Sequence, residues 1–138
     1  TRLVSDWSSD VCSSDLHNLG LLDYRTTGAL YRACDAGIAL MMTRHPSYLP
    51  LELMACGALV VTNRNPDTAW LLRDEENCLL AEPTPSAVAE RLEDGLRNAT
   101  MRQKITARAG SLIESRFADW DGEAARLLRF MSHDWEGE

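Results

Sequence analysis

The stretch that most constrains the fold runs from residue 37 to residue 62. It begins with an apolar segment at residues 37–41 (GIALM), passes through a polar turn, and ends with a second apolar segment at residues 58–61 (ALVV). Between these segments, Pro50 suits the first turn of a helix and Gly57 suits the position just after its end. Strand, loop, helix and strand in such close succession predict a compact βαβ unit, whose strands are parallel and buried.

This unit also predicts where a ligand would bind. In open parallel sheets, ligands occupy the crevice outside the carboxyl ends of the strands, close to helix N-termini. Residues 43–51 hold that position here, and Glu52 follows in the first turn of the helix. We therefore expect any binding site to lie at this edge of the sheet.

The same segment resembles the nucleotide-sugar segment of GT-B glycosyltransferases. The resemblance is carried by PLELMACGALVVT at residues 50–62, where Glu52 matches the second glutamate of the family's two-glutamate motif. Arg44 occupies the position of the first glutamate, so the motif is incomplete. The variant HPSYLPLE at residues 45–52 is similar to a branch of bacterial rhamnosyltransferases that use dTDP-rhamnose. The similarity extends from about residue 17 to residue 131.

Pattern and resemblance together predict an α/β fold, with a partial Rossmann-like parallel sheet followed by C-terminal helices. Strands are predicted at three apolar segments, residues 35–41, 59–62 and 78–81. Helices are predicted at residues 24–34, around Glu52, from Thr84 onward, at residues 100–114, and after Asp119 or Asp121. In the helix that begins at Thr84, we predict that Val88, Leu92 and Leu96 form the buried stripe. Residues 63–67 (NRNPD) predict a turn.

The predicted strand count is low for a nucleotide-binding domain. Three strands are fewer than the six of a complete dinucleotide-binding sheet. The resemblance therefore implies the back half of a GT-B C-terminal domain, with the N-terminal domain of the same enzyme absent.

Both ends of the chain are predicted to lie outside this domain. Residues 4–16 (VSDWSSDVCSSDL) contain three Asp and five Ser without a usable period, and they resemble the translation of a sequencing adapter. The alternative is a genuine acidic, Ser-rich linker. We therefore predict a non-native or disordered leader at residues 1–16, a partial nucleotide-sugar-binding domain at residues 17–131 and a frayed tail at residues 132–138.

Composition argues against several classes of partner. The net charge of −7 disfavours non-specific binding to nucleic acid or to an anionic membrane. No apolar run approaches the roughly 18 to 20 residues needed to span a bilayer, and no signal-peptide pattern is present, so we expect a cytoplasmic protein. Cys34, Cys56 and Cys78 are widely spaced, which favours reduced thiols over a disulfide framework or a zinc site.

Five residues are candidate donor-binding residues: His45, Ser47, Tyr48, Leu51 and Glu52. The resemblance implies that Glu52 hydrogen-bonds the ribose hydroxyls of a nucleotide, and the alternative is a first-turn glutamate that stabilises the helix dipole. Ser47 and the backbone before Pro50 either hold a diphosphate or form an ordinary turn. Tyr48 either stacks on the base or sugar or packs half-buried. His45 lies near the expected sugar, although a lone histidine in a loop is usually solvated.

The resemblance implies a retaining glycosyltransferase that moves a sugar, with rhamnose as the suggested donor sugar, from a nucleotide-sugar donor to a glycan acceptor. No catalytic residue, metal or other cofactor is assigned within this sequence, and the nucleotide sugar is the substrate. Because the N-terminal domain is absent, we expect the chain alone to be inactive. Two alternatives stay open: a non-catalytic nucleotide-binding half-domain and a nucleotide-sugar epimerase of the same fold.

Overall fold

The computed structural model describes residues 17–43 and 47–132, which are built around one parallel sheet. Its strands are hydrogen-bonded in chain order: β1 (Ala36–Ile38), β2 (Leu59–Asn63) and β3 (Leu79–Ala81). Gly37 of β1 lies opposite Val60 of β2. The predicted fold class is confirmed, because a three-stranded parallel sheet is followed by C-terminal helices.

The described residues also form five α-helices: α1 (Tyr24–Ala33), α2 (Leu49–Ala55), α3 (Pro85–Arg97), α4 (Ala99–Phe117) and α5 (Trp120–Ser132). Asp23, Thr84 and Asn98 each cap a helix by accepting a hydrogen bond from a first-turn N–H. Such caps contribute about 1 kcal/mol each. Asp119, and not Asp121, caps α5, because its carboxylate accepts a hydrogen bond from Gly122 at 2.9 Å.

The sheet separates two apolar layers. On one face, α2 packs over Ala39, Met41 and Val60. On the other face, α3 packs over Leu59 and Leu79. Helix α4 contacts both layers, since its buried residue Ala109 belongs to the cluster under α2 and its buried residue Ile105 belongs to the cluster under α3. Every residue of β2 is buried, which makes this strand the centre of the fold.

Strand β1 is shorter than predicted. Its regular pairing ends at Ile38, and the N–H of Ala39 makes one more backbone bond to the carbonyl of Val61 at 3.0 Å. Beyond that point, Met41 is bonded to the side chain of Asn63 instead of to backbone. The prediction of a strand through residue 41 was wrong because side-chain bonds replace the backbone ladder there.

The predicted buried stripe of α3 is confirmed only in part. Val88 is buried and Leu92 is half-buried, but Leu96 is 44% exposed. Gly95 faces the sheet in its place, and a Cβ atom at this position would lie 3.0 Å from Cδ1 of Leu79. The helix approaches the sheet so closely here that only a glycine fits without a shift.

The two C-terminal helices differ in how they pack. Helix α5 has no buried residue, and Leu128 and Met131, which share one of its faces, are exposed. Arg102 of α4 donates to the carbonyls of Gly95 and Leu96 at 3.1 and 2.8 Å. Those carbonyls belong to the last turn of α3, where the helix itself supplies no partner. Across the described ranges, no helix is both long enough and apolar enough to cross a bilayer.

Candidate functional site

Most of the predicted donor-binding residues fall around the N-terminus of α2. Because α2 follows β1 in the chain, this terminus lies at the carboxyl edge of the sheet, where ligands of parallel sheets bind. Ser47, Tyr48, Leu51 and Glu52 are brought together within the same turn and first helical turn. His45 and Arg44 lie outside the described residues, so their predicted roles stay predictions.

The described residues at the start of α2 leave both alternatives for Ser47 open. The Ser47 hydroxyl accepts a hydrogen bond from the N–H of Leu49 at 3.2 Å, and Pro50 has no N–H to offer. The helix has only seven residues, which limits its dipole. Residues 44–46 of this turn lie outside the described residues, so the choice between a diphosphate site and an ordinary turn stays a prediction.

Tyr48 and Leu51 point in different directions. Tyr48 is 72% exposed and makes no cap hydrogen bond, so the half-buried packing alternative for this residue is wrong. Leu51 is half-buried and packs against the core cluster beneath α2. The Tyr48 ring is accessible to a ligand, whereas the Leu51 side chain is partly taken up by packing.

Glu52 lies in the wall of a groove between α1 and α2, with a cavity of about 420 Å³. The lining residues are Tyr24, Arg25, Thr27, Gly28, Tyr31 and Arg32 of α1, with Glu52, Ala55 and Cys56 of α2. Because α1 leads into β1 and α2 follows it, the end of the groove at Tyr24 and Glu52 is nearer the carboxyl edge of the sheet, whereas Arg32 and Cys56 line its other end. One end of the groove is therefore close to the edge where a ligand is expected.

The sequence prediction missed the α1 side of this groove. Tyr24, Gly28, Tyr31 and Arg32 recur at spacings of three and four residues, which places them on one helix face. That spacing was the available signal, but an exposed aromatic and basic face is also typical of an ordinary surface helix. Two aromatic rings, two guanidinium groups and one carboxylate suit a nucleotide, through stacking, phosphate binding and hydroxyl binding respectively.

A second polar arrangement joins the chain after β1 to the end of β2. The side chain of Asn63 accepts a hydrogen bond from the N–H of Met41 at 2.6 Å and donates to the carbonyl of the same residue at 3.0 Å. Asn65 Nδ2 donates to the carbonyl of Thr43 at 3.0 Å. We call Asn63 and Asn65 the asparagine clamp. The sequence predicts both only as turn residues, whereas Asn63 is the buried last residue of β2.

A third arrangement, the Asp74 cluster, joins Asp74 to Arg64, Arg91 and Leu80. The Asp74 carboxylate accepts hydrogen bonds from the N–H of Leu80 at 2.9 Å, from Arg91 at 2.6 Å and from Arg64 at 3.1 Å. Burial acts to raise the pKa of the Asp74 carboxyl, but the hydrogen bonds from Leu80 and Arg91 and the nearby guanidinium charges outweigh it, so the pKa is below its ordinary value. The cluster fixes β3 to α3, and it engages Arg64 in an ion pair.

Comparison with known proteins places the chain in a family. Residues 9–93 match the family described as WsaF, C-terminal domain. The chain belongs to the WsaF C-terminal domain family. The matched region includes part of the predicted leader, the groove between α1 and α2, and the asparagine clamp.

A curated relative of this WsaF C-terminal domain is the O-antigen biosynthesis protein RfbC of Myxococcus xanthus. The two are 52% identical over 112 residues, which is 81% of this chain. The same residues span only 9% of the relative. The similarity is therefore close within the domain, and it leaves most of the relative's length without a counterpart in this sequence.

Solved structures share the fold of the WsaF C-terminal domain at lower identity. The C-terminal domain of the group 1 glycosyl transferase LpcC from Francisella tularensis is 23% identical, with a TM-score of 0.60 over 72% of this chain and 52% of that chain. Anabaena HepE, solved with UDP and glucose, is 22% identical, with a TM-score of 0.59 over 72% and 28%. Sucrose-phosphate synthase from Thermosynechococcus elongatus is 19% identical, with a TM-score of 0.65 over 83% and 30%. The fold is that of a glycosyltransferase-like C-terminal domain.

Proposed function

We propose that this domain binds the nucleotide-sugar donor of a GT-B glycosyltransferase that builds a bacterial surface polysaccharide such as O-antigen. The observation that carries the proposal is the position of Glu52, in the wall of the groove and at the carboxyl edge of the sheet. A carboxylate at that place suits the neutral ribose hydroxyls of a nucleotide, because it would repel the phosphates.

The groove supplies the other contacts that a nucleotide needs. Tyr24 is 87% exposed at the start of α1, so its ring is free to stack on a base. Arg25 and Arg32 line the same groove and offer charge to the diphosphate. Stacking, hydroxyl binding and charge neutralisation would thus come from two adjacent helices, and the exposed Tyr48 ring at the start of α2 would add a further contact.

The relatives support the same function. RfbC carries the name of an O-antigen biosynthesis protein, and HepE was solved with UDP and glucose. The HPSYLPLE variant at residues 45–52 resembles enzymes that use dTDP-rhamnose, which makes that sugar nucleotide the proposed donor. We further propose a retaining reaction onto a glycan acceptor, with the acceptor site supplied by the rest of a longer protein.

The first test measures donor binding. We would replace the counterpart of this chain in RfbC by this chain and titrate the purified chimera with dTDP and UDP by calorimetry. Glu52→Gln should weaken nucleotide binding by roughly 10- to 100-fold, the loss expected for a hydrogen bond to a charged group. Glu90→Gln, an exposed glutamate on α3, is the matched control and should bind as the unsubstituted chimera does. Equal affinity of both variants would make Glu52 a surface residue of the helix.

The second test measures transfer. The chimera should restore O-antigen to a Myxococcus strain that lacks RfbC, and it should consume dTDP-rhamnose in preference to UDP-glucose. Nucleotide binding without any sugar transfer would favour the non-catalytic alternative. Interconversion of the nucleotide sugar without transfer would favour the epimerase alternative.

A further inference from the structure

We propose that the asparagine clamp positions the chain segment that leads from β1 into the donor site. Asn63 and Asn65 would thus be positioning residues for donor binding, although neither lines the groove. This inference rests on the proposed function above, and it adds residues that the family resemblance does not assign.

The clamp begins where the backbone ladder ends. The last backbone bond between β1 and β2 joins the N–H of Ala39 to the carbonyl of Val61. The hydroxyl of Thr62 then donates to the carbonyl of Ala39 at 2.6 Å. Two residues after Ala39, Met41 is paired through both its N–H and its carbonyl with the side-chain amide of Asn63. Side chains of β2 thus continue the pairing past the end of the strand.

Asn65 extends the clamp to the last described residue before the turn. Its Nδ2 donates to the carbonyl of Thr43 at 3.0 Å, and its Oδ1 accepts a hydrogen bond from the N–H of Asp67 at 3.0 Å. One oxygen therefore caps the short 3₁₀ turn Pro66–Thr68, while the nitrogen holds the segment after β1. Because the two roles belong to different atoms, substitution can separate them.

The burial of Asn63 needs an explanation beyond stability. Asn63 is 4% exposed and follows four apolar or β-branched residues of β2, a position where a further β-branched residue would fit the core. Burying an amide is costly unless its hydrogen bonds are made. Here they are made, since Oδ1 accepts from Met41 and Nδ2 donates to the carbonyls of Met41 and Arg64. The bonding capacity of this amide is used to fix the neighbouring segment.

That segment has little else to hold it. Met42 is 70% exposed and Thr43 is exposed, so packing does not define their positions. The carbonyl of Thr43 sets where the chain leaves the sheet on its way to the turn before α2. Without the clamp, the segment would have to be ordered when the donor binds, and that ordering lowers affinity. The clamp should therefore affect nucleotide affinity more than it affects the melting temperature.

The main test uses Asn65→Ser in the RfbC chimera, titrated with dTDP and UDP. Serine keeps the cap on the 3₁₀ turn, because it is a good N-cap residue, but its side chain is too short to reach Thr43. We expect nucleotide affinity to fall by about 3- to 10-fold, with a nearly unchanged melting temperature. Asn98→Ser, the same substitution at the N-cap of α4, is the matched control and should bind normally. Asn65→Asp also keeps the capping oxygen. It should bind the nucleotides more weakly than the unsubstituted chimera, because a carboxylate oxygen would face the carbonyl of Thr43.

A second measurement tests the clamp without any ligand. In Asn63→Val, the amide of Met41 should lose its protection from hydrogen exchange, while the amide of Ala39 should keep it through its bond to Val61. Retained protection at Met41, or normal nucleotide binding by Asn65→Ser, would overturn the inference and leave the proposed function intact. If the unsubstituted chimera binds neither nucleotide, the proposed function fails and the positioning role fails with it.

Discussion

Strands β1 and β2 are neighbours in one sheet, yet they differ in how they are buried. All five residues of β2 are buried, and the strand pairs on both sides. Within the part of the chain that the structure describes, strand β1 pairs with β2 alone, and Ile38 and Leu40 are 47% and 45% exposed. Strands of parallel sheets are normally covered on both faces. The difference shows that the stability of this domain rests on β2 and its neighbours, while the candidate site is attached to the less covered strand.

The exposed residues near β1 share one face. Side chains alternate along a strand, so Ala39 and Met41 point toward α2 while Ile38, Leu40 and Met42 point the other way. On that second face, Ala36 packs against the cluster beneath α3, whereas Ile38, Leu40 and Met42 are exposed. We call Ile38, Leu40 and Met42 the β1 stripe. An apolar stripe of this kind is typical of a surface that contacts other protein.

The largest expected effect concerns the centre of the sheet. Leu59 is fully buried in β2, so Leu59→Ala should lower the free energy of unfolding by about 2 to 5 kcal/mol. Leu96→Ala, which truncates a leucine that is 44% exposed, should cost less than about 1 kcal/mol. Urea unfolding of the chain measures both. Similar costs at the two positions would mean that β2 is not the stabilising centre.

The next effect concerns the close contact between α3 and the sheet. Gly95→Ala would place a Cβ atom against Leu59 and Leu79, and overpacking of this kind costs about 1 to 3 kcal/mol. Gly110→Ala is the matched control, because its Cβ position in α4 has open space around it apart from the helix's own backbone and the neighbouring residues. That substitution should stabilise the helix by up to about 1 kcal/mol. The melting temperatures of the two variants should thus shift in opposite directions. An unchanged melting temperature for Gly95→Ala would show that the helix can move away from the sheet.

Local signals in the sequence account for most of this fold. Asp23 and Thr84 carry recognisable cap patterns, and Gly57 ends α2 with a φ of +81° that favours glycine. The apolar runs around Gly37, Val60 and Leu80 locate the three strands. These features depend on neighbouring residues only, which is why they can be predicted without a structure.

Features that depend on distant partners were missed. Gly95 is conspicuous only once Leu59 and Leu79 lie beneath it, so the periodicity of α3 favoured Leu96 instead. Asn63 resembles a turn residue in sequence, and only its pairing with Met41, 22 positions earlier, shows that it is buried. In the candidate site, Glu52 was found by its motif. The α1 side of the groove was not found, because packing between two helices creates it.

A smaller effect, with a pH signature, is expected at the Asp74 cluster. Its hydrogen bonds hold the pKa of Asp74 below the ordinary value of 3.8, so the stabilisation is fully present above that pH and is lost as pH falls through the lowered pKa. Asp74→Asn should therefore cost about 1 to 2 kcal/mol at pH 7, because the side chain is partly exposed and water screens its charge. The difference from the unsubstituted chain should disappear in acid.

Urea unfolding between neutral and acidic pH measures this difference. Asp94→Asn is the control, since Asp94 is exposed and its oxygen lies 3.9 Å from the Arg91 guanidinium. It should leave the pH dependence almost unchanged. A cost of Asp74→Asn that stays constant with pH would show that shape, and not charge, makes the cluster stabilising.

The smallest effect in the chain itself is expected on the β1 stripe, and its size should differ between the chain alone and the RfbC chimera. In the chain itself, Leu40→Thr should change the free energy of unfolding by less than about 0.5 kcal/mol, because Leu40 is already 45% exposed. In the RfbC chimera, where other parts of the protein are present, we expect the same substitution to cost about 1 to 2 kcal/mol through lost burial of apolar area. Leu96→Thr, at a leucine of nearly equal exposure on α3, controls for the change of host and should cost the same in both. Equal costs of Leu40→Thr in the chain and in the chimera would mean that the β1 stripe stays uncovered, and that the unequal burial of β1 and β2 is a lasting property of the domain.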